Sequence, residues 1–502
     1  MRGVITAGVL VTLLLSGCAA VLEPATREAI ASTGAKEVFL DDGAIYPVVA
    51  APVRHTIGGT TFTAYAYNGQ LPGPILRVRQ GSTITVPFTN QLPEPSTIHW
   101  HGLRHDIKDD GVPGVSQDPV NPGETHTYTL RFPDAGVFWY HPHVREDRQQ
   151  DLGLAGTIVV EPAGDPWPNA DQEAVLVLDD ILIDADGQPV PHGERQADFA
   201  LMGRFGNVLL INGQKEYRLQ AHTGERLRVF LVNAANVRPF NVSFGVPVRV
   251  IGSDIGLAQN ATIRESVTIH PAERYIIDIV FPEPGTYKIR NVNPWVAYDL
   301  GEVVVAPGAG DTSPDASLPP LDLSRFEKRF NDTPDLTLRI DVDVGGMGGM
   351  MNMHQMRGMH SVTDIEWEDT MAMMNANSDA TSTRWFFEEV GTRLRGMDIH
   401  RTYRVGDIVK IRIINDAKGA HPMQHPIHLH GQRFLVTSID GEAPEQLAWK
   451  DTAAIPAGAT ADLLVDITNP GEWMLHCHIA EHLEAGLMTS ITVEPTEGTE
   501  GT

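Results

Sequence analysis

Four clusters of metal-ligating side chains stand out: His99-Trp100-His101-Gly102, His141-Pro142-His143, His425-Pro426-Ile427-His428-Leu429-His430 and His476-Cys477-His478-Ile479-Ala480-Glu481-His482. They gather ten of the chain's 20 histidines and one of its two cysteines. A lone His-x-His is weak evidence for a metal, because isolated histidines are usually surface or core residues. Four clusters of this density, two of them flanked by Pro or Gly, point to metal. Imidazole suits copper, and one thiolate with two imidazoles is the ligand set of a blue electron-transfer site. Zinc takes the same donors, but a structural zinc site closes with four ligands. Eleven donors in this arrangement are too many for it.

The order His476-Cys477-His478 is informative in itself. Neighbours on a strand point to opposite faces. The Cys477 sulfur then faces one metal site while the two flanking imidazoles face another, joined by a short covalent path for electrons. Cys477, His425 and His482 would form a single-copper site, and the remaining eight histidines a cluster.

The elements that must position these residues recur three times. Gly81–Asn90, Gly224–Asn233 and Gly406–Asn415 each alternate apolar and polar residues and stop at Asn. Period two with β-branched content predicts a strand in each. A second repeat follows each at a distance: Gly136–His141, Gly285–Arg290 and Gly471–His476. The body is therefore all-β, built of three consecutive Greek-key β-sandwich units. Their spans are 38–165, 170–306 and 335–495, with a Met-rich insert at 345–384, a linker at 307–334 and a tail at 496–502. Pro-rich joints separate them. The first and third units carry the histidines. The middle unit has Arg238-Pro239-Phe240-Asn241 and Arg290 at the corresponding places and reads as a spacer, so a shared site would lie between the first and third.

Length and composition agree. A chain of 502 residues accommodates about three domains, and 47 Gly with 35 Pro favour a turn-rich β build. The formal charge of −26 argues against nucleic acid and bulk anionic lipid as partners. Residues 1–17 read as a signal peptide: Arg2 is followed by an apolar run, Val9–Leu15, too short to span a bilayer. Leu15-Ser16-Gly17-Cys18-Ala19 looks like a bacterial lipobox. Cys18 is then the lipidation site, 18–37 a tether, and the exported body is held at the membrane by its lipid alone. That leaves Cys477 without a disulfide partner, and a metal would protect it.

In this order the four clusters, with Asn68-Gly69-Gln70-Leu71-Pro72-Gly73-Pro74 near the start, resemble the multicopper oxidases, the group of laccases and copper-tolerance oxidases. The resemblance covers nearly the whole mature chain. It implies three cupredoxin domains and four copper ions, with the three-copper cluster between the first and third domains. It makes Cys477, His425 and His482 the type 1 ligands and His99 and His428 the type 2 pair. His101, His141, His143, His430, His476 and His478 become ligands of the coupled type 3 pair. The activity implied is four-electron reduction of O2 to water at the expense of a one-electron reductant.

Dioxygen reduction needs acids near the cluster. Asp110 matches the family's loop acid after the first His pair, although an Asp before Gly is also an ordinary turn residue. Many bacterial members place a second acid directly after the last type 1 His. Here that position is Leu483, and Glu484 follows it. The axial type 1 position falls on Leu487, where bacterial relatives often have Met; the adjacent Met488 points the other way on a strand.

Residues 347–374 hold nine of the chain's 15 Met, among them Met347, Met350, Met351, Met353, Met356 and Met359. Thioethers select Cu(I), and the Gly-rich setting is a poor core candidate. The segment resembles the Met-rich insert of bacterial cuprous oxidases. Met423 matches one of their substrate positions, while His421 stands where they carry an acid. The reading is an oxidase of Cu(I) with laccase-like activity on phenols and a role in copper tolerance, working as a monomer. Two others are a laccase for phenols and aromatic amines with the Met segment as a lid, and a copper-sequestering lipoprotein without turnover. An aliphatic Leu487 gives the oxidised copper no axial donor, so the potential should be fairly high. In a Leu487→Met variant, spectroelectrochemical titration of the blue band should give a lower potential; an equal or higher one would refute this.

Overall fold

The computed structural model describes residues 29–164, 167–308, 310, 317–345, 365–416 and 423–496. The signal peptide, Cys18, the Met347–Met359 stretch, His421 and most of the tail lie outside them. Among the described residues no helix is long and apolar enough to cross a membrane.

Six sheets form three two-sheet units. In the first unit, Thr83–Asn90 lies between Val48–Ile57 and Thr125–Arg131, and the facing sheet carries His99–His101 at its edge beside Gly136–His141. The third unit repeats this plan: Gly471–Cys477 pairs with His425–Leu429 on one side and Met488–Glu494 on the other. In all three units the Asn-terminated strand pairs in parallel with an earlier strand of the same unit, Val48–Ile57 in the first and the opening strand in the other two, the crossover expected of a Greek key.

The alternation expected of Thr83–Asn90 holds residue by residue, half-buried and buried in turn. The middle strand, Arg226–Asn233, differs: it is buried along nearly its whole length. Val229 and Leu231 face their own core. Phe230 and Val232 pack with Val137 and Trp139 of the first unit, so the face expected to meet solvent is covered by a neighbour. The later part of the segment expected as a linker is likewise seated. Leu323 and Phe326 are buried in the apolar cluster of the first unit, where Phe326 meets Trp449 of the third.

The Asn that ends each repeat has a common task. Asn90 Nδ2 donates to the carbonyls of Glu94 and Val120, and Asn233 Nδ2 to those of Arg238 and Ile269. Asn415 Nδ2 donates to Met423, Ile455 and Pro456. Each ties the loop after its strand to a distant turn. In the third unit that loop leads directly into His425. Asn415→Ala would leave buried carbonyls unpaired and should lower stability by about 2–3 kcal/mol, measured by denaturant unfolding of the metal-free chain.

Candidate metal centre

Strand pleat and pairing place the donors. His99–His101 pairs with Gly136–His141 in the register His99 to His141 and His101 to Trp139. Trp100 therefore turns into the core against Tyr128 and Tyr140, and the two histidines turn outward to the third unit. There His428 lies opposite His476 and Ile427 opposite Cys477. Gly111 has φ +79°, and a Cβ there would overlap the carbonyl of Ile98. This tight turn carries Asp110 back against the histidines.

The His and Cys donors gather in four groups: His425, Cys477 and His482; His99, His101 and His428; His101, His141 and His478; His143, His430 and His476, and Asp110 makes a further group with His99 and His430. Within each, the donor atoms lie within 4.8 Å of one another. The last three groups each mix first-unit and third-unit residues. In the first, Cys477 Sγ is 3.6 Å from His425 Nδ1 and 4.0 Å from His482 Nδ1, and the two nitrogens are 3.3 Å apart. The sulfur and its flanking imidazoles thus serve different groups, as strand alternation requires.

The other ring nitrogens are tied back. His99 Nδ1 bonds the Asp110 carbonyl at 2.8 Å, and His428 Nδ1 the Asp451 carbonyl at 2.9 Å. His141 and His476 bond the carbonyls of Pro142 and Cys477. His430 Nδ1 bonds Asp110 Oδ2 at 2.8 Å, and Glu146 Oε1 lies 3.2 Å from His143 Nδ1. His101 is reversed: its Nε2 bonds Asp451 Oδ1 and Thr452 Oγ1, both at 3.0 Å. Left without hydrogen-bond partners are Nε2 of His99, His141, His143 and His428, Nδ1 of His101, and both ring nitrogens of His478, the one cluster ring that is not tied back. Buried polar atoms are normally paired, and a set of converging orphans is what a metal cluster would satisfy.

Protonation agrees. Burial, reinforced by neighbouring imidazoles, pushes His101, His141, His430, His476 and His478 well below the ordinary range, and His143 down to about 3. Neutral rings keep their lone pairs for a metal. Burial pushes the Cys477 thiol up, so its thiolate forms only with a cation to hold it. These residues fit copper.

Of the expected acids, Asp110 is buried at the cluster. Burial would raise its carboxyl, but the imidazoles of His430 and His99, with hydrogen bonds from His105 and His430, hold it well below the carboxylate range. Glu484 accepts the main-chain N–H of Glu146 at 3.3 Å and is pushed up to about 7 by burial and by Asp147. Glu146 itself is raised, by burial first and then by Glu484. Leu483 packs with Val112 and Met474 instead of supplying an acid. Leu487 is fully buried in the apolar cluster that holds Cys477, and its carbonyl accepts the Cys477 N–H at 3.0 Å. Met488 lies with Val112 and Met474. Met423 is fully buried in the cluster of Cys477.

Sequence reasoning missed several residues. Trp385 lies tilted over His482 at 4.3 Å and meets His425 edge-on at 4.9 Å, and only its nearness to the Met-rich segment marked it. Asp451 and Thr452 carry no motif. Glu146 could have been found by its i+3 spacing from His143. Glu481, raised to about 8 by burial, accepts Asn236 Nδ2 at 3.0 Å.

Comparison with known proteins agrees with this site. Family models described as multicopper oxidase match residues 50–165 and 363–497. Copper resistance protein A of Escherichia coli is 25% identical over 87% of this chain and 90% of its own. Laccase-3 of Botryotinia fuckeliana is 26% identical over 83% and 99%. A crystal structure of a multicopper oxidase from Pseudomonas thermotolerans superposes with a TM-score of 0.69 at 28% identity, covering 91% of this chain and all of that one. With its cupredoxin-like sandwiches and converging copper donors, the chain belongs to the multicopper oxidase family and is a copper-dependent oxidoreductase.

Proposed function

We propose that the chain couples one-electron oxidation of a reductant to the four-electron reduction of O2 to water, using four copper ions. Cys477, His425 and His482 hold one as type 1, and His99 with His428 hold one as type 2. His101, His141, His143, His430, His476 and His478 hold the type 3 pair. The observation that carries this is the run His476-Cys477-His478 at the end of the strand Gly471–Cys477, whose sulfur serves one donor group while its neighbours serve two others. Storage of copper needs no such relay. Bound copper would supply the one-electron redox steps and the contact with dioxygen.

The chain's own residues supply the rest. Trp385 and Leu487 keep the surroundings of Cys477 apolar. Asp110, within hydrogen-bond reach of His430, is the first candidate for handing protons to the cluster. Glu484 reaches it through Glu146, which lies against His143; this pair takes the place that Leu483 leaves empty.

Cu(I) is the proposed physiological reductant, with phenols as laccase-type substrates, and copper tolerance the role. The Met-rich segment supports this, as does the name of the copper resistance relative. Met371 and Met374, at the segment's described end, pack on the apolar cluster that holds Cys477. The lipobox supports export as a membrane-tethered lipoprotein.

Oxygen uptake by one copper-loaded sample with Cu(I), Fe(II), Mn(II) and a phenol tests the reading. The highest kcat/KM should fall to Cu(I), with measurable phenol turnover; a copper-replete sample that consumes no oxygen would defeat it. Deleting 347–363, which spares Met371 and Met374, should abolish most Cu(I) oxidation while phenol oxidation holds or rises. Asp110→Asn should lower kcat about 100-fold or more, yet leave anaerobic bleaching of the blue band by substrate unchanged in stopped flow.

A further inference from the structure

The middle unit supplies none of the clustered histidines, yet it reaches two of them through a buried ion pair. Arg274, at the start of the strand Arg274–Val280, has no solvent exposure. Its Nε donates to the Val137 carbonyl of the first unit at 2.9 Å. Its Nη1 donates to Asp451 Oδ1 of the third unit at 2.7 Å, and Nη2 to Asp451 Oδ2. One guanidinium thereby joins all three units.

Asp451 passes this restraint to the ligands. Its Oδ1 accepts His101 Nε2 at 3.0 Å and the Thr452 hydroxyl at 2.8 Å, and its main-chain carbonyl accepts His428 Nδ1 at 2.9 Å. Asp254, also of the middle unit, accepts the main-chain N–H groups of Asp451 at 3.2 Å, Thr452 at 3.3 Å and Arg274 at 2.9 Å. The first unit makes room for this pair. Gly102 follows His101 at φ +85°, and a Cβ there would overlap Asp451 Oδ2 and lie 2.9 Å from Arg274 Nη2.

We propose that Arg274 and Asp254 make the middle unit a positioning element for the copper cluster, acting on the type 2 copper through His428 and on the type 3 pair through His101, an inference that rests on His99, His101 and His428 being copper ligands. His101 is the one ligand whose Nδ1 faces the cluster while its Nε2 is tied back. That orientation requires a fixed acceptor for the Nε2 proton. A carboxylate gripped by both arms of a guanidinium cannot turn away. Partners behind a ligand fix its tautomer and ring orientation, and their loss typically weakens metal binding about 10–100-fold. Without Arg274, Asp451 is released both from His101 and from the carbonyl geometry that holds His428.

The test uses the full-length, copper-loaded protein with Arg274→Gln and Arg274→Lys. Blue type 1 absorption per chain should equal the parent's, since Cys477, His425 and His482 do not touch this pair. The type 2 electron paramagnetic resonance lines should shift, and a Cu(II) chelator should strip that copper at about 10–100-fold lower concentration. Arg274→Lys keeps the charge but not the fork and should fall between Gln and parent. If Arg274→Gln does not fold, Arg274→Lys decides alone. Parent-like lines and chelator resistance in Arg274→Lys overturn the proposal. So does loss of the blue band in step with type 2 copper, which would mark a general structural role. A parent protein with blue absorption but no type 2 lines would remove the copper assignment itself, not this inference.

Discussion

Ten buried imidazoles and one buried thiol point their donor atoms at one another, and the protein alone cannot satisfy that. Burying a polar atom without a partner costs on the order of 1–3 kcal/mol, and this centre holds several such atoms side by side. Cations at the points of convergence relieve the cost. Much of the surrounding structure is the apparatus that keeps the donors converged while they wait. Main-chain carbonyls hold the far nitrogens of His99, His141, His428 and His476, and carboxylates hold those of His101 and His430. Burial keeps the rings of His101, His141, His428, His430 and His476 neutral.

The division of labour between the donor groups follows from strand geometry. Cys477 and its neighbours are separated by a single peptide unit, yet they face opposite ways because the strand is pleated. The sulfur meets an apolar pocket of Leu487, Trp385 and Ile427. The imidazoles meet a wall of histidines from another unit. A helix could not do this, because adjacent residues there lie about 100° apart rather than on opposite faces.

Much of this was legible in the sequence because it is periodic or clustered. The three Asn-terminated strands, the four His clusters and the split between ligand-bearing and ligand-free units all rest on patterns that survive without coordinates. What was not legible depends on long-range approach. Trp385 lies 40 residues before His425 and covers it only because two sheets of one unit fold together. The strand Arg226–Asn233 looks half-exposed until the first unit is packed on its outer face. Phe326 looks like a linker residue until Trp449 meets it. The acid route shows the same limit. Leu483 marked a gap in the family pattern, but that Glu146 of the first unit lies between Glu484 and His143 depends on the unit interface.

The middle unit is where local patterning misleads most. Judged by its own residues it is a spacer, since Arg238 and Arg290 stand where the other units carry histidines. Those replacements have different fates. Arg290 pairs with Asp299 at the surface, as a residue freed from ligation would. Arg238 is buried and holds Asp180 and Glu368 together, which ties the end of the Met-rich insert to the middle sandwich. Arg274 does more, since it closes on the acid behind a ligand. A unit that has no donors of its own can still bear on how tightly a metal is held, provided its charged residues are buried at the seam where the ligands of its two neighbours meet. Three units are needed for a site that two of them build, because the seam between the first and third has a third side.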